Sequence, residues 1–295
     1  MARRAGARPA AALREDIGDA TTRPPEGSTT IARKQPESNQ APVVQRVRLR
    51  YAKRGPLRFT SHRDFARAFE RAIRRAGVPI AYSHGFTPHP RISYASAAPT
   101  GVASEAEYLE LGLQQPVDPD ELRTALDAAL SPGLDIVDAV VAAAPGSLAD
   151  RIDAGQWRVV LTGVPPAALA AAAAAFAAAA EVPVERLTKQ GKRMIDARAA
   201  VVSIAAGDEN DTGANPANDP PSGGAGAPCA ILDLVVRLAS PTVRPDDVLS
   251  GLRVVADLEP PVPPRATRLA QGLLTAQGGL IDPLEADRRA AIGER

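Results

Sequence analysis

The chain has 295 residues, length for two ordinary domains, with 45% apolar residues but only 3% aromatics, so its core is built from Ala, Val, Leu and Ile. A single cysteine, Cys229, excludes an internal disulfide and any thiolate-ligated zinc or iron–sulfur site, which fits a reducing cytoplasm. The net charge of +1, from 35 Lys and Arg against 34 Asp and Glu, says nothing until it is mapped along the chain.

Residues 1–42 are rich in Pro, Ser, Thr, Gln and Arg without periodicity and read as a disordered tail, with no signal-peptide core. In "VVQRVRLRYAKRG" Val47, Leu49 and Tyr51 alternate with Arg46, Arg48 and Arg50, the pattern of a strand with one buried face. "TSHRDFARAFERAIRRAGV" follows. Ser61 with Asp64 three residues on is a capping-box-like start, Gly77 is a stop, and Phe65, Phe69 and Ile73 share one helical face. "RISYASAAP" and "AEYLELGL" read as strands, Asp118 to Leu130 as a second amphipathic helix, and "LDIVDAVVAA" as another strand. This β-α-β-β-α-β order over residues 43–145 is the ferredoxin-like plan.

Residues 150–270 repeat the plan loosely. "QWRVVLTG" is a strand, Pro166–Ala180 an alanine helix, and "VPVERLTKQGKRMIDARAAVVSI" two strands about a "KQGK" turn. A low-complexity insertion occupies 207–228, "CAILDLVVRL" resumes as a strand, and a short helix spans Pro245–Leu252. The expected fold is α+β, two ferredoxin-like domains in tandem, with an unplaced tail over 271–295. No apolar run is long enough for a membrane span.

Charge is strongly segregated. Val44 to Ala95 holds 12 Lys and Arg against 2 Asp and Glu, whereas Tyr94 to Asp150 holds one Arg against ten Asp and Glu. Arginine supplies 31 of the 35 basic residues, so an isolated arginine carries little information and clusters carry more. Arg63, Arg67, Arg71 and Arg74 form such a cluster, one stripe beside the Phe/Ile face of the first helix. Like charges at this spacing repel, and an anionic partner relieves the cost. Pairing with the acidic second half is the competing expectation.

The loop "AYSHGFTPHPRIS" concentrates His84 and His89 with Pro88, Pro90 and Gly85, so His89 and Arg91 are expected at fixed positions as nucleic-acid contacts, with Phe86 anchored in the core. His62 and His89 suit general acid–base work near neutral pH, and are expected on one surface with the arginine stripe. A three-histidine metal site lacks supporting spacing, so neither metal nor cofactor is expected. In "KQGKRMIDAR", Lys189, Lys192 and Arg193 flank a glycine turn and offer a second set of phosphate contacts. Phosphate-loop and dinucleotide fingerprints are missing from the sequence.

Residues 53–111, from "KRGPLRFTSHRDF" through "YSHGFTPHPRISYASAAPTGVASEAEYLEL", resemble the radical-SAM-linked protein family. "SLADRIDAGQW", "KQGKRMIDAR" and "PPRATRL" resemble later family blocks, extending the likeness over roughly 44–270. Ser61, His62, Asp64, Gly85, Phe86, Pro88, His89 and Pro90 fit the family pattern, while His84 and Arg63 depart from it. The resemblance implies a domain that stands alone or is fused to radical SAM proteins, with relatives often encoded beside ribonuclease E/G. It implies no settled activity, and the radical SAM cysteine motif is missing here. The resulting expectation is a cytoplasmic RNA-associated accessory protein, with a radical SAM enzyme or ribonuclease E/G as partner. A metal-independent RNA-processing enzyme using His62 and His89, or a protein–protein adaptor, are the alternatives.

Overall fold

Alternation makes β1 (Gln45–Lys53) a strand, but not one with a single buried face. Val47, Leu49 and Tyr51 point into one core, while Arg48 on the other face is only 3% exposed. The computed structural model describes residues 41–84, 86–188, 191–207 and 228–293. The expected tail and the 207–228 insertion lie almost entirely outside those residues.

Helix α1 (His62–Arg75) forms as its sequence dictates. The Ser61 hydroxyl accepts from the Asp64 N–H at 3.2 Å and donates to the Asp64 carboxylate at 2.7 Å, which fixes the first turn. Gly77 ends it at φ +66°, a conformation that favours glycine. Phe65, Phe69 and Ile73 pack on β1, with Phe65 stacked on Tyr51 at 4.5 Å. Each such buried side chain contributes about 1.5–3 kcal/mol.

The chain continues through β2 (Ile92–Ala95), β3 (Ala103–Leu113), α2 (Pro119–Ala129) and β4 (Leu134–Val141). These strands pair in the order β4-β1-β3, with β2 added antiparallel on β3. The second half runs β5 (Ala154–Thr162), α3 (Pro166–Ala178), β6 (Pro183–Thr188), β7 (Gly191–Asp196), β8 (Val201–Gly207), β9 (Cys229–Arg237), α4 (Pro245–Ala256) and β10 (Arg265–Leu274). Its order is β10-β5-β9-β8. Where the sequence pattern suggests two strands about "KQGK" there are three: β6 and β7 form a separate hairpin, and β8 joins the main sheet. The alanine-rich α3 buries Leu169, Ala172, Ala173 and Phe176 against Trp157, Val159 and Leu161 of β5.

The two halves share one nine-stranded sheet, because β10 pairs parallel with β3 at Thr267↔Ala103 and Arg268↔Ser104. Arg268, 3% exposed, secures this seam. It bonds the Glu107 carboxylate and the Ser96 carbonyl, and lies over the Trp157 ring. The fold is thus mixed α+β, with five α-helices among the described residues. None of these is long and apolar enough to cross a membrane.

The segment beyond residue 270 is not a featureless tail. β10 runs through it into β11 (Leu280–Ile281) and α5 (Glu285–Gly293). A Cβ on Gly272 would meet the Ile281 carbonyl oxygen at 1.9 Å, so only glycine lets β11 approach β10. This segment covers the face of the first half that lies opposite α1, where Tyr108, Leu148, Ile152 and Leu284 form a third core.

Candidate nucleic-acid interface

The basic residues between Val44 and Ala95 divide by element. On β1 and just after it, carboxylates neutralise Arg46, Arg48, Arg50 and Arg54, while Lys53 donates to the Ala98 and Pro99 carbonyls. Arg46 and Arg48 share Glu110 at 2.7 and 2.9 Å, and Arg50 meets Asp282 at 3.3 Å. Arg48 also meets Asp287 at 2.9 Å, and Asp287 takes Arg151 at 2.7 Å while accepting the Ala144 N–H. Burial works against the charge of Arg48, but Asp287 and Glu110 outweigh it and raise the guanidinium's pKa. Arg54 is held by Glu105, with Asp135 at 2.7 Å, and these bonds raise its pKa as well.

On α1 the arginines are left over. Arg63, Arg67, Arg71 and Arg74 are all exposed. The sole ion pair among them within the described residues is Arg67 with Asp64, at 4.0 Å and with both side chains more than half exposed. Arg75 differs: it donates to the Ala129 carbonyl at 2.7 Å, capping the end of α2. Of the acidic residues of 94–150, Glu105, Glu110 and Asp135 meet β1 and its flank, Glu107 meets Arg268, Asp138 meets Arg288, and Asp118 caps α2. Pairing of the helix stripe with that half does not occur among the described residues.

His62, in the first turn of α1, sets its ring edge-on to Tyr94 at 4.9 Å. It lines a small cleft of about 20 Å³ with Tyr51, Lys53, Thr60 and Glu107. Burial lowers the Lys53 pKa, opposed by Glu107, and pushes the phenols of Tyr51 and Tyr94 up. The Tyr94 hydroxyl is buried without a hydrogen-bond partner among the described residues. Sequence reasoning missed Glu107, Tyr51 and Tyr94 here. The rarity of lysine in this chain was the one available signal for Lys53.

His89 is elsewhere. The Ser83 N–H donates to the His89 carbonyl at 2.8 Å and the His89 N–H to the Ser83 hydroxyl at 3.0 Å, Tyr82 and Pro90 form a bridge, and residues 84–88 lie between. His89 and Arg91 line a cleft with Arg46, Ser93 and Glu110. Along β2, Ile92 and Tyr94 pack on the α1 side while Ser93, opposite Glu110, faces the other way. His62 and His89 thus open on opposite faces of the sheet, and the expectation of one surface shared with the arginine stripe fails. The cause is the two-residue period of the strand that follows the loop. Phe86 is 90% exposed rather than anchored, because it falls inside the loop closed off by the Ser83–His89 bond and not on an element packed against the core.

On the β6–β7 hairpin, Lys192 and Arg193 are exposed, and Lys192 pairs with Glu185 at 2.8 Å. Lys189 lies outside the described residues. Leu187 and Met194, 79% and 60% exposed, share the hairpin face that carries Lys192. Among the described residues no three His, Cys, Asp or Glu side chains gather in a metal-ligating group.

No curated protein matches the chain. A family model described as an uncharacterized protein conserved in bacteria (DUF2344) matches residues 46–245, from β1 to the first residue of α4 and about two thirds of the sequence. With both the α1 arginine face and the His89 loop inside the matched region, the chain belongs to the DUF2344 family.

Proposed function

We propose that this protein is an RNA-associated accessory protein whose α1 arginine face grips the phosphate backbone. One observation carries the reading: β1 and α1 are both rich in arginine, yet among the described residues the α1 stripe has a single carboxylate partner, Asp64 at 4.0 Å from Arg67, whereas the β1 set is paired throughout. Exposed cations on a rigid helix supply the salt-dependent, sequence-independent part of nucleic-acid affinity. The strand orders β4-β1-β3-β2 and β10-β5-β9-β8 support reading each half as a ferredoxin-like unit. RNA readers of that architecture stack bases on aromatics of the open sheet face. Here Tyr108 on that face is 2% exposed beneath Leu148, Ile152 and Leu284, which favours backbone contact through the helix instead. Lys192 and Arg193 extend the phosphate-binding set.

In this reading the protein acts in the cytoplasm beside an enzyme of rRNA or tRNA processing or modification. The likeness to radical-SAM-linked proteins points to a radical SAM enzyme or ribonuclease E/G as that partner. The metal-independent nuclease reading loses its paired histidines, since His62 and His89 line different clefts. Fluorescence anisotropy with a labelled single-stranded RNA tests the proposal. Wild type binds and leaves the RNA uncut, and Arg67→Glu with Arg71→Glu weakens binding with the melting temperature preserved. Cleavage without metal that is lost in His62→Ala would replace this reading with an enzymatic one. No binding to any RNA would leave the adaptor.

A further inference from the structure

We propose that the sheet face opposite α1 carries a separate small-ligand site, a cleft for a phosphate monoester of nucleotide size, with Arg46 and Arg91 as its anion-binding groups. This site does not depend on the RNA reading. Two cavities meet there, of about 470 and 240 Å³, and they share Arg46, Ser93 and Glu110. Their sizes fall in and just below the range of about 300–1,000 Å³ usual for small-molecule sites.

The charges do not balance without an anion. The charged side chains lining the joined cleft are Arg46, Arg48, Arg91 and Glu110, together with the imidazole of His89. Arg48 is held from behind by Asp287, and Glu110 is divided between Arg46 and Arg48. Arg91 has only one weak bond, from its Nε to the Tyr82 carbonyl at 3.3 Å, so its terminal nitrogens have no partner among the described residues. The His89 side chain has none either; its recorded bonds come from the main chain. Two guanidinium forks and an imidazole converging on one opening suit a phosphate dianion, which accepts several charge-assisted bonds at once.

The position of Arg91 is built in. A Cβ on Gly112 would meet the Arg91 Cβ at 3.3 Å and a Val43 methyl at 3.1 Å, so the glycine lets both side chains close over β3. The larger cavity continues the cleft along a mostly apolar wall that includes Ala142, Pro145 and Leu148. Arg48 fixes this wall by donating to the Gly146 carbonyl at 2.6 Å and to the Ala144 carbonyl at 3.3 Å. Phosphate at the cationic end with a flat body along the apolar wall is the arrangement of a nucleotide, and the exposed Ser93 hydroxyl lies between them for a sugar hydroxyl.

Isothermal titration of the full-length protein with AMP, adenosine and inorganic phosphate tests the site. AMP is expected to bind saturably, and more tightly than either fragment, because each supplies only half of the contacts. Arg91→Ala and Arg46→Ala should each weaken AMP by about tenfold. Arg46→Lys and Arg91→Lys guard against misfolding and should lose less. Arg67→Glu with Arg71→Glu should leave AMP affinity unchanged, which separates this site from the RNA-binding face. A trinucleotide with a 5′-phosphate distinguishes the source: tighter binding than AMP identifies an RNA end, weaker binding a free nucleotide. No saturable AMP binding, adenosine binding as tightly as AMP, inorganic phosphate binding as tightly as AMP, or AMP affinity unmoved by the Arg46 and Arg91 variants would each overturn the proposal.

Discussion

The arginines of β1 and those of α1 belong to one basic stretch of sequence and end in opposite electrostatic states. Strand arginines meet Glu110, Asp282 and Asp287, and Arg54 just beyond the strand meets Glu105 and Asp135. Helix arginines meet solvent. The difference is geometric. A strand inside a sheet has neighbours on both sides and both faces, so carboxylates from distant segments reach its side chains. A helix lying on that sheet turns its outer face away from the other described elements, and there its arginines find only one carboxylate, Asp64 of the same helix. Local charge density therefore overstates a binding surface wherever the basic element is central to the sheet.

Replacing a carboxylate under the strand should have the largest effect. Asp287 is fully buried and neutralises both Arg48 and Arg151. Asp287→Ala leaves the buried Arg151 with main-chain carbonyls alone and Arg48 with no carboxylate but its share of Glu110, and should cost about 3–5 kcal/mol, read as a lower urea midpoint. A loss under about 1 kcal/mol would mean that the strand arginines do not need their partners, and the contrast would lose its energetic basis.

Ser61→Ala should cost less, about 1 kcal/mol, by removing the side-chain acceptor for the Asp64 N–H at the start of α1. Circular dichroism should show a helix frayed in its first turn, with RNA affinity lowered only modestly since Arg67, Arg71 and Arg74 lie further along. Affinity falling as far as in the double glutamate variant would place the main contacts at Arg63 and the helix start.

How far the sequence reveals this arrangement depends on the range of the interaction. The limits of α1, its buried Phe/Ile face and its exposed arginines follow from contacts within one or two turns, and the 3.6-residue period exposes them directly. The pairing of Arg48 with Asp287 spans 239 residues, and no local pattern marks it. For the same reason α5 reads as tail: its one fully buried residue is an aspartate, which hydrophobic periodicity counts as exposed. β10 escapes notice because "RATRLAQGLL" carries Arg268 and Gln271 inward at the seam between the halves, which breaks the alternation expected of a strand. His62 and His89 look like neighbours because the chain between them is short. The two-residue period of β2 then sends the residues around them to opposite faces.

The salt dependence of RNA binding tests the central claim most directly. If the four α1 arginines each hold a phosphate, log affinity for single-stranded RNA should fall with log salt at a slope of about −3, at roughly 0.7 per contact. Arg67→Glu with Arg71→Glu should bring the slope to about −1.4, corresponding to two lost contacts. Arg54→Gln, at a site already neutralised by Glu105 and Asp135, should leave it unchanged. A slope that stays near −3 in the double variant, or flattens with Arg54→Gln instead, would contradict the assignment of the free cations to α1.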